Sequence, residues 1–238
     1  MIWLHGLGES SLCFAAISRQ PALQHFRHRI VDLPGYGRSH WPAEPYRLDE
    51  AATELASWLV ADAGEPAVLL GHSMGGVLAQ LIAERAPAQV RAVINVDGNL
   101  SLADCTFSGK ATAFPLAAFL AKGFEELQSS VYTDGITRPP LRGYYASMRF
   151  ADPRVFHRHA LDLLELSTPE DLARRLAALP MPSLYIAGSP EGASARSKEL
   201  LVSAAARWKL IESSGHWPFL DQPEAFATAV GEFLSSLS

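Results

Sequence analysis

Gly71-His72-Ser73-Met74-Gly75 fits the spacing G-x-S-x-G, which can make a nucleophile of a serine. The apolar run Ala67-Val68-Leu69-Leu70 leads into it, and the helix-like run from Gly76 to Ala86 leads out. A buried strand, a tight glycine turn and a helix are what a nucleophile elbow requires, with the serine hydroxyl on the tip of the turn. In that geometry the amide of the next residue, Met74, points at the reacting carbonyl. The bare pattern also fits a surface serine in a glycine-rich loop, but the strand before it and the helix after it favour the elbow. A serine hydroxyl attacks at neutral pH only when a nearby imidazole accepts its proton, so a histidine must be brought to the tip by the rest of the fold.

The elements that would position these groups can be read from apolar periodicity. Strand-like runs occur at Ile2 to His5, His28 to Leu33, Ala67 to Leu70, Ala92 to Val96, Ser183 to Ala187 and Trp208 to Glu212. Helical patterns alternate with them. Ala52, Leu55, Ala56 and Leu59 lie on one face of a helix over Asp49 to Ala61, with Gly64 as its stop signal, and Val77, Leu78, Leu81 and Ile82 mark a second helix ended by Pro87. This alternation predicts an α/β fold whose mostly parallel twisted sheet is covered by helices on both faces. From Gly98 to about Pro180 the alternation stops, and helical pieces are broken by Gly109, Pro115, Gly123, Gly135 and Pro139-Pro140.

Two further motifs accompany the elbow. Ile2-Trp3-Leu4 runs into His5-Gly6-Leu7-Gly8, and Ile30-Val31-Asp32-Leu33 runs into Pro34-Gly35-Tyr36-Gly37. With the elbow and the late Gly215-His216, the chain resembles the α/β-hydrolases of the lipase, esterase and C-C hydrolase type, over residues 1–97 and 181–238. The resemblance implies a core made of those two segments and a helical lid at 98–180 that walls the substrate pocket. It implies an oxyanion hole made by the amides of Leu7 and Met74. It also places the general base at His216, which follows the last strand. The usual sheet of the family has eight strands, and the antiparallel pair that starts it would precede Met1.

The resemblance leaves two carboxylates for the third catalytic position. Gly188-Ser189-Pro190-Glu191 matches the common Gly-x-x-Asp except that it ends in glutamate, and the loop before the helix at Ser194 is short. Asp97, in Val96-Asp97-Gly98-Asn99, stands at the carboxyl end of the preceding core strand, from which some members orient their histidine, although Asp-Gly also fits a plain turn. Either carboxylate would select the reactive tautomer of His216 and stabilise its cation.

Composition bounds the rest. Lys and Arg total 20 against 25 acids, the formal charge is -5 and no dense basic run appears, which argues against a nucleic-acid partner. The apolar runs are strand-length, so neither a membrane-spanning helix nor a leader is expected, and the default compartment is the cytoplasm. Cys13 and Cys105 lack metal-ligand spacing and read as buried thiols. No P-loop, zinc set or dinucleotide fingerprint appears, so no cofactor and no metal is implied. Arg138, Arg142, Arg149, Arg154 and Arg158 fit either a grip on an acidic substrate or a solvated helix face. Most of the lid aromatics, Phe107, Tyr144 and Phe156 among them, are expected to form its core. The leading activity is serine-dependent cleavage of a small apolar acyl ester, thioester or lactone through an acyl-enzyme. A C-C hydrolase, lyase or haloperoxidase-like enzyme on the same residues is an alternative, as is a non-catalytic ligand receptor. Aspartate-nucleophile chemistry does not suit a chain with Ser73 at the elbow.

Overall fold

The computed structural model describes residues 1–62 and 64–237. Six strands form one sheet: β1 (Ile2–Leu4), β2 (Arg29–Val31), β3 (Ala67–His72), β4 (Val90–Val96), β5 (Ser183–Glu191) and β6 (Trp208–Gly215). Their order is β2-β1-β3-β4-β5-β6, and every pairing is parallel. Each expected strand is therefore present. β5 and β6 run three to four residues further than their apolar cores, because Pro190 pairs with Ser214 and Glu191 with Gly215 beyond an irregularity at Gly188 to Pro190. This extension carries Glu191 out of the expected loop and onto a strand end.

Helices flank the sheet. α1 (Leu48–Asp62) buries Ala52, Ala56 and Leu59 along one stripe, as its spacing requires. α2 (Met74–Arg85) is buried at every residue from Met74 to Ala83, because it starts at the elbow and crosses between β1, β3 and β4. Between β4 and β5 lie α3 (Thr106–Thr112), α4 (Leu116–Ala118), a π-helical turn at Phe119–Gly123, α5 (Phe124–Asp134), α6 (Pro139–Met148), α7 (Pro153–Ser167) and α8 (Leu172–Ala177). α9 (Ala195–Ser203), α10 (Pro218–Asp221) and α11 (Pro223–Ser235) complete the chain. The start of α7 shows how sequence sets an end: Asp152 caps it by accepting from the Arg154 amide at 2.9 Å, with Pro153 at the first position where no amide is needed.

Phe119, Tyr144 and Phe156 are buried among the helices between β4 and β5, whereas Tyr132 and Phe150 lie mostly in solvent. The five arginines of this stretch find local partners and form no shared grip. Arg138 pairs with Glu191, Arg142 donates to the carbonyls of Gly135 and Ile136, Arg149 to Gln128, Arg154 to Asp152, and Arg158 to Asp162 and Glu165. Cys105 is buried as expected, Cys13 is only half-buried, and both are free thiols. Among the described residues, no helix is long and apolar enough to cross a membrane.

Candidate active site

Ser73 stands between β3 and α2 with φ 53° and ψ -120°, a left-handed conformation that a serine adopts only when its surroundings hold it. They do so closely. The Ser73 amide donates to the carbonyl of Val96 at 2.8 Å, and the Gly76 amide donates back to the Ser73 carbonyl at 2.9 Å. A Cβ on Gly71 would lie 1.9 Å from the Gly75 carbonyl oxygen, and one on Gly75 would lie 2.0 Å from that of Leu4. Only glycine fits at either position, which is the physical content of the two glycines in the motif. Met74 follows as the first residue of α2, so its amide belongs to the donors a helix cannot satisfy internally.

Ser73 shares a cavity of about 20 Å³ with Leu7, Asn99, Tyr144, His216 and Trp217. A wider cleft of about 600 Å³ adjoins it and shares Thr106, Phe107, His216 and Trp217; Lys110 and Arg138 also line it. Leu7, Ser73 and His216, taken from three separate motifs, thus meet at one place.

A buried network that the motifs do not reveal underlies this place. The carboxylate of Glu9 accepts from the Gly6 amide at 2.6 Å, from His72 Nδ1 at 2.9 Å and from Trp217 Nε1 at 2.5 Å. His72 Nε2 meets the carbonyl oxygen of His216 at 2.8 Å. Both ring nitrogens of His72 face acceptors and Glu9 faces only donors, so the hydrogen bonds fit an imidazolium beside a carboxylate. Burial works against both charges. Even so, the His72 charge and the three hydrogen bonds hold Glu9 down at about 2, while the Glu9 charge and hydrogen bond raise His72. The ion pair ties the loop after β1, the elbow and the His216 loop together. It also commits the Gly6 amide to Glu9.

His216 is lowered to about 3, first by burial and then by the neighbouring His72 charge, so at neutral pH its ring is uncharged and able to accept a proton. His5 is also kept neutral by burial. Its Nε2 accepts from the Leu33 amide at 3.1 Å, and its Nδ1 donates to the Gly6 carbonyl at 2.8 Å, so it shapes the loop after β1.

The two acid candidates lie in contrasting surroundings. Asp97 is buried at φ 47°, and its two oxygens accept from the amides of Gly188 at 3.0 Å and Ala193 at 2.7 Å. Burial raises it to about 7 against those two amides. Glu191 is exposed and pairs with Arg138. Asp104 lines the Ser73 cavity, but its oxygens are taken by the amides of Leu100, Ser101 and Ser194 and the hydroxyl of Ser197. Among the described residues, no carboxylate hydrogen-bonds the His216 ring, and no group of three His, Cys, Asp or Glu could hold a metal.

The model of the alpha/beta hydrolase family matches residues 1–229. The chain belongs to that family. It is 28% identical to the pimeloyl-[acyl-carrier protein] methyl ester esterase of Pectobacterium carotovorum subsp. carotovorum (strain PC1), over 98% of this chain and 93% of that protein. It is 29% identical to the enzyme of the same name from Edwardsiella ictaluri (strain 93-146), over 100% of this chain and 94% of the other. Among solved structures it resembles a hydrolase from Pseudomonas aeruginosa PA01, with a TM-score of 0.79 and 23% identity over 98% of this chain and 88% of that one. The enol-lactonase from Burkholderia xenovorans LB400 is similar with a TM-score of 0.76 and 20% identity, over 98% and 90%. Like the relatives it matches along its length, the chain is an esterase-like alpha/beta hydrolase.

Proposed function

We propose that the chain cleaves a carboxylic ester through an acyl-enzyme on Ser73. The observation that carries this reading is the held left-handed Ser73 sharing a cavity with a neutral His216. Ser73 Oγ attacks the ester carbonyl while His216 takes its proton. The amides of Leu7 and Met74 stabilise the oxyanion, the alcohol leaves with the proton from His216, and water repeats the sequence to release the acid. The relatives named as methyl ester esterases support an ester as the substrate.

Asp97 is the acid in this scheme. Its carboxylate lies against the end of β5 and the turn after it, and a Cβ on Gly188 in β5 would come within 1.9 Å of the carbonyl oxygen of Gly215, the residue before His216. Glu191, by contrast, spends its charge on Arg138 in solvent. Residues 98–180 act as a lid on a core of 1–97 and 181–238, a role supported by Thr106, Phe107 and Tyr144 lining the cavity with Ser73. The 600 Å³ cleft receives the larger part of the ester.

A panel of p-nitrophenyl esters of graded chain length tests the activity. The expected result is turnover that depends on acyl length. No turnover of any member, with the folded protein verified, would leave a ligand-binding role in its place.

A further inference from the structure

Two residues that line the Ser73 cavity each carry a buried polar atom that has no partner among the described residues. Tyr144 on α6 is 4% exposed, and its ring is wedged 4.9 Å from Phe107 and 5.6 Å from Trp217, yet its hydroxyl has no hydrogen-bond partner among the described residues. Asn99 is equally buried. Its Nδ2 reaches Cys105 Sγ at 3.6 Å, while its Oδ1 is unpartnered among the described residues. Both residues line the 20 Å³ cavity with Ser73 and His216. A Cβ on Gly8 would lie 3.0 Å from the Tyr144 hydroxyl, which places that hydroxyl over the loop after β1 that also holds Leu7.

A buried hydroxyl without a partner destabilises the fold, and phenylalanine would fill the same space without that penalty. Burial also keeps the phenol protonated, so it presents an O–H donor. Tyr144 and Asn99 thus bring one unpaired donor and one unpaired acceptor to the wall of a cavity with room for about one oxygen-sized group. A hydroxyl, which both donates and accepts, satisfies the two together, whereas a methylene satisfies neither and an oxo group satisfies only Tyr144.

We infer that Tyr144 and Asn99 bind a hydroxyl beside the reacting carbonyl, so that the preferred substrates are esters of 2-hydroxy acids rather than of plain apolar acids. The inference rests on the serine-esterase reading of the same site and narrows its substrate class. An oxygen on the 2-carbon is one bond from the carbonyl carbon, close enough to share so small a cavity with the nucleophile.

The test compares kcat/KM for methyl butanoate, methyl 2-hydroxybutanoate and methyl 2-oxobutanoate, with wild-type protein and with Tyr144→Phe. With each rate divided by that ester's uncatalysed hydrolysis rate, wild-type protein should favour the hydroxy ester over the plain one by roughly 10- to 1,000-fold, with the oxo ester between them. Tyr144→Phe should shrink the hydroxy-to-plain ratio by about tenfold or more and raise the Tm of the unliganded protein by about 2–4 °C, the effect of deleting an unpaired buried hydroxyl. A role confined to packing would leave the ratio unmoved. Equal wild-type rates, so divided, on the hydroxy and plain esters, or a ratio unchanged by Tyr144→Phe, would overturn the inference. Labelling of Ser73 by a fluorophosphonate tells the two failures apart: with labelling and indifferent ester choice only this inference falls, while with neither labelling nor cleavage the esterase reading falls with it.

Discussion

Gly75→Ala tests the claim that the elbow positions the site by backbone contact. The added Cβ would lie 2.0 Å from the carbonyl oxygen of Leu4, 2.6 Å from its carbon and 2.7 Å from the carbonyl oxygen of His5. Ordinary contacts of a carbon atom lie at roughly 3.5 Å, so α2 and β1 must separate by more than about 1 Å. No flexible side chain stands in the way to yield, since all three atoms are backbone. Overpacking of this kind costs about 1–3 kcal/mol, and the absence of a soft neighbour places Gly75→Ala at the upper end. For a chain of this size that is a fall in Tm of about 6–12 °C. The displacement also moves Ser73 relative to the loop that holds His5, Gly6 and Leu7, and a shift near 1 Å lowers turnover by about a hundredfold. Gly143→Ala is the matched control, because that glycine is exposed in α6 with nothing within 4 Å of an added Cβ. It should gain about 0.5–1 kcal/mol from the better helix former. Thermal unfolding and p-nitrophenyl ester hydrolysis measure both effects. A Gly75→Ala protein with Tm within 2 °C of wild type and more than half its activity would refute the reasoning.

Other consequences are equally measurable. Asp97→Asn should lower kcat by up to roughly four orders of magnitude while Glu191→Gln costs less than about tenfold, and the reverse order would move the acid to Glu191. Because Asp97 is raised to about 7, wild-type kcat/KM should fall as the pH drops through about 7, and a profile flat from pH 8 to 5 would contradict an ionised Asp97 in the reaction. Glu9 ionises at about 2 when folded against 4.5 ordinarily, so it contributes stability above pH 4.5, on the order of 3 kcal/mol, which is lost as the pH falls toward 2. His72 has the opposite sign: its raised value contributes stability below pH 6.5 that is lost as the pH rises through its folded value. Glu9→Gln should therefore be most destabilising, by Tm, between pH 4.5 and 6.5, and a Tm deficit that grows below pH 4 would rule out the ion pair.

Local signals made much of the fold legible. The elbow announces itself because a strand, two glycines and a helix start are contiguous, and the six strands show because each has an apolar run of its own. The tail of β5 was not legible, since Gly188 to Glu191 are held extended by pairing with β6 and not by their own residue types. The Gly-x-x-Glu pattern reads as a loop carrying one of two acid candidates, whereas the structure puts Glu191 on a strand end, exposed and beside Arg138. Glu9 escaped notice for a different reason. A single glutamate after His-Gly-Leu-Gly reads as a surface residue, and its burial depends on donors at positions 6, 72 and 217, which only the tertiary fold brings together. Tyr144 looked like one more core aromatic of the insertion. Its unpaired hydroxyl is a property of the folded cavity, with no trace in spacing.

The central claim is that Ser73 forms the covalent bond. Treating the protein with a fluorophosphonate and reading intact mass and the modified peptide tests it directly. The predicted outcome is one adduct per chain, on Ser73, with Ser73→Ala unlabelled and its activated-ester turnover down by roughly three to six orders of magnitude. An adduct on another residue, or a Ser73→Ala protein that still turns over ester at the wild-type rate, would contradict it.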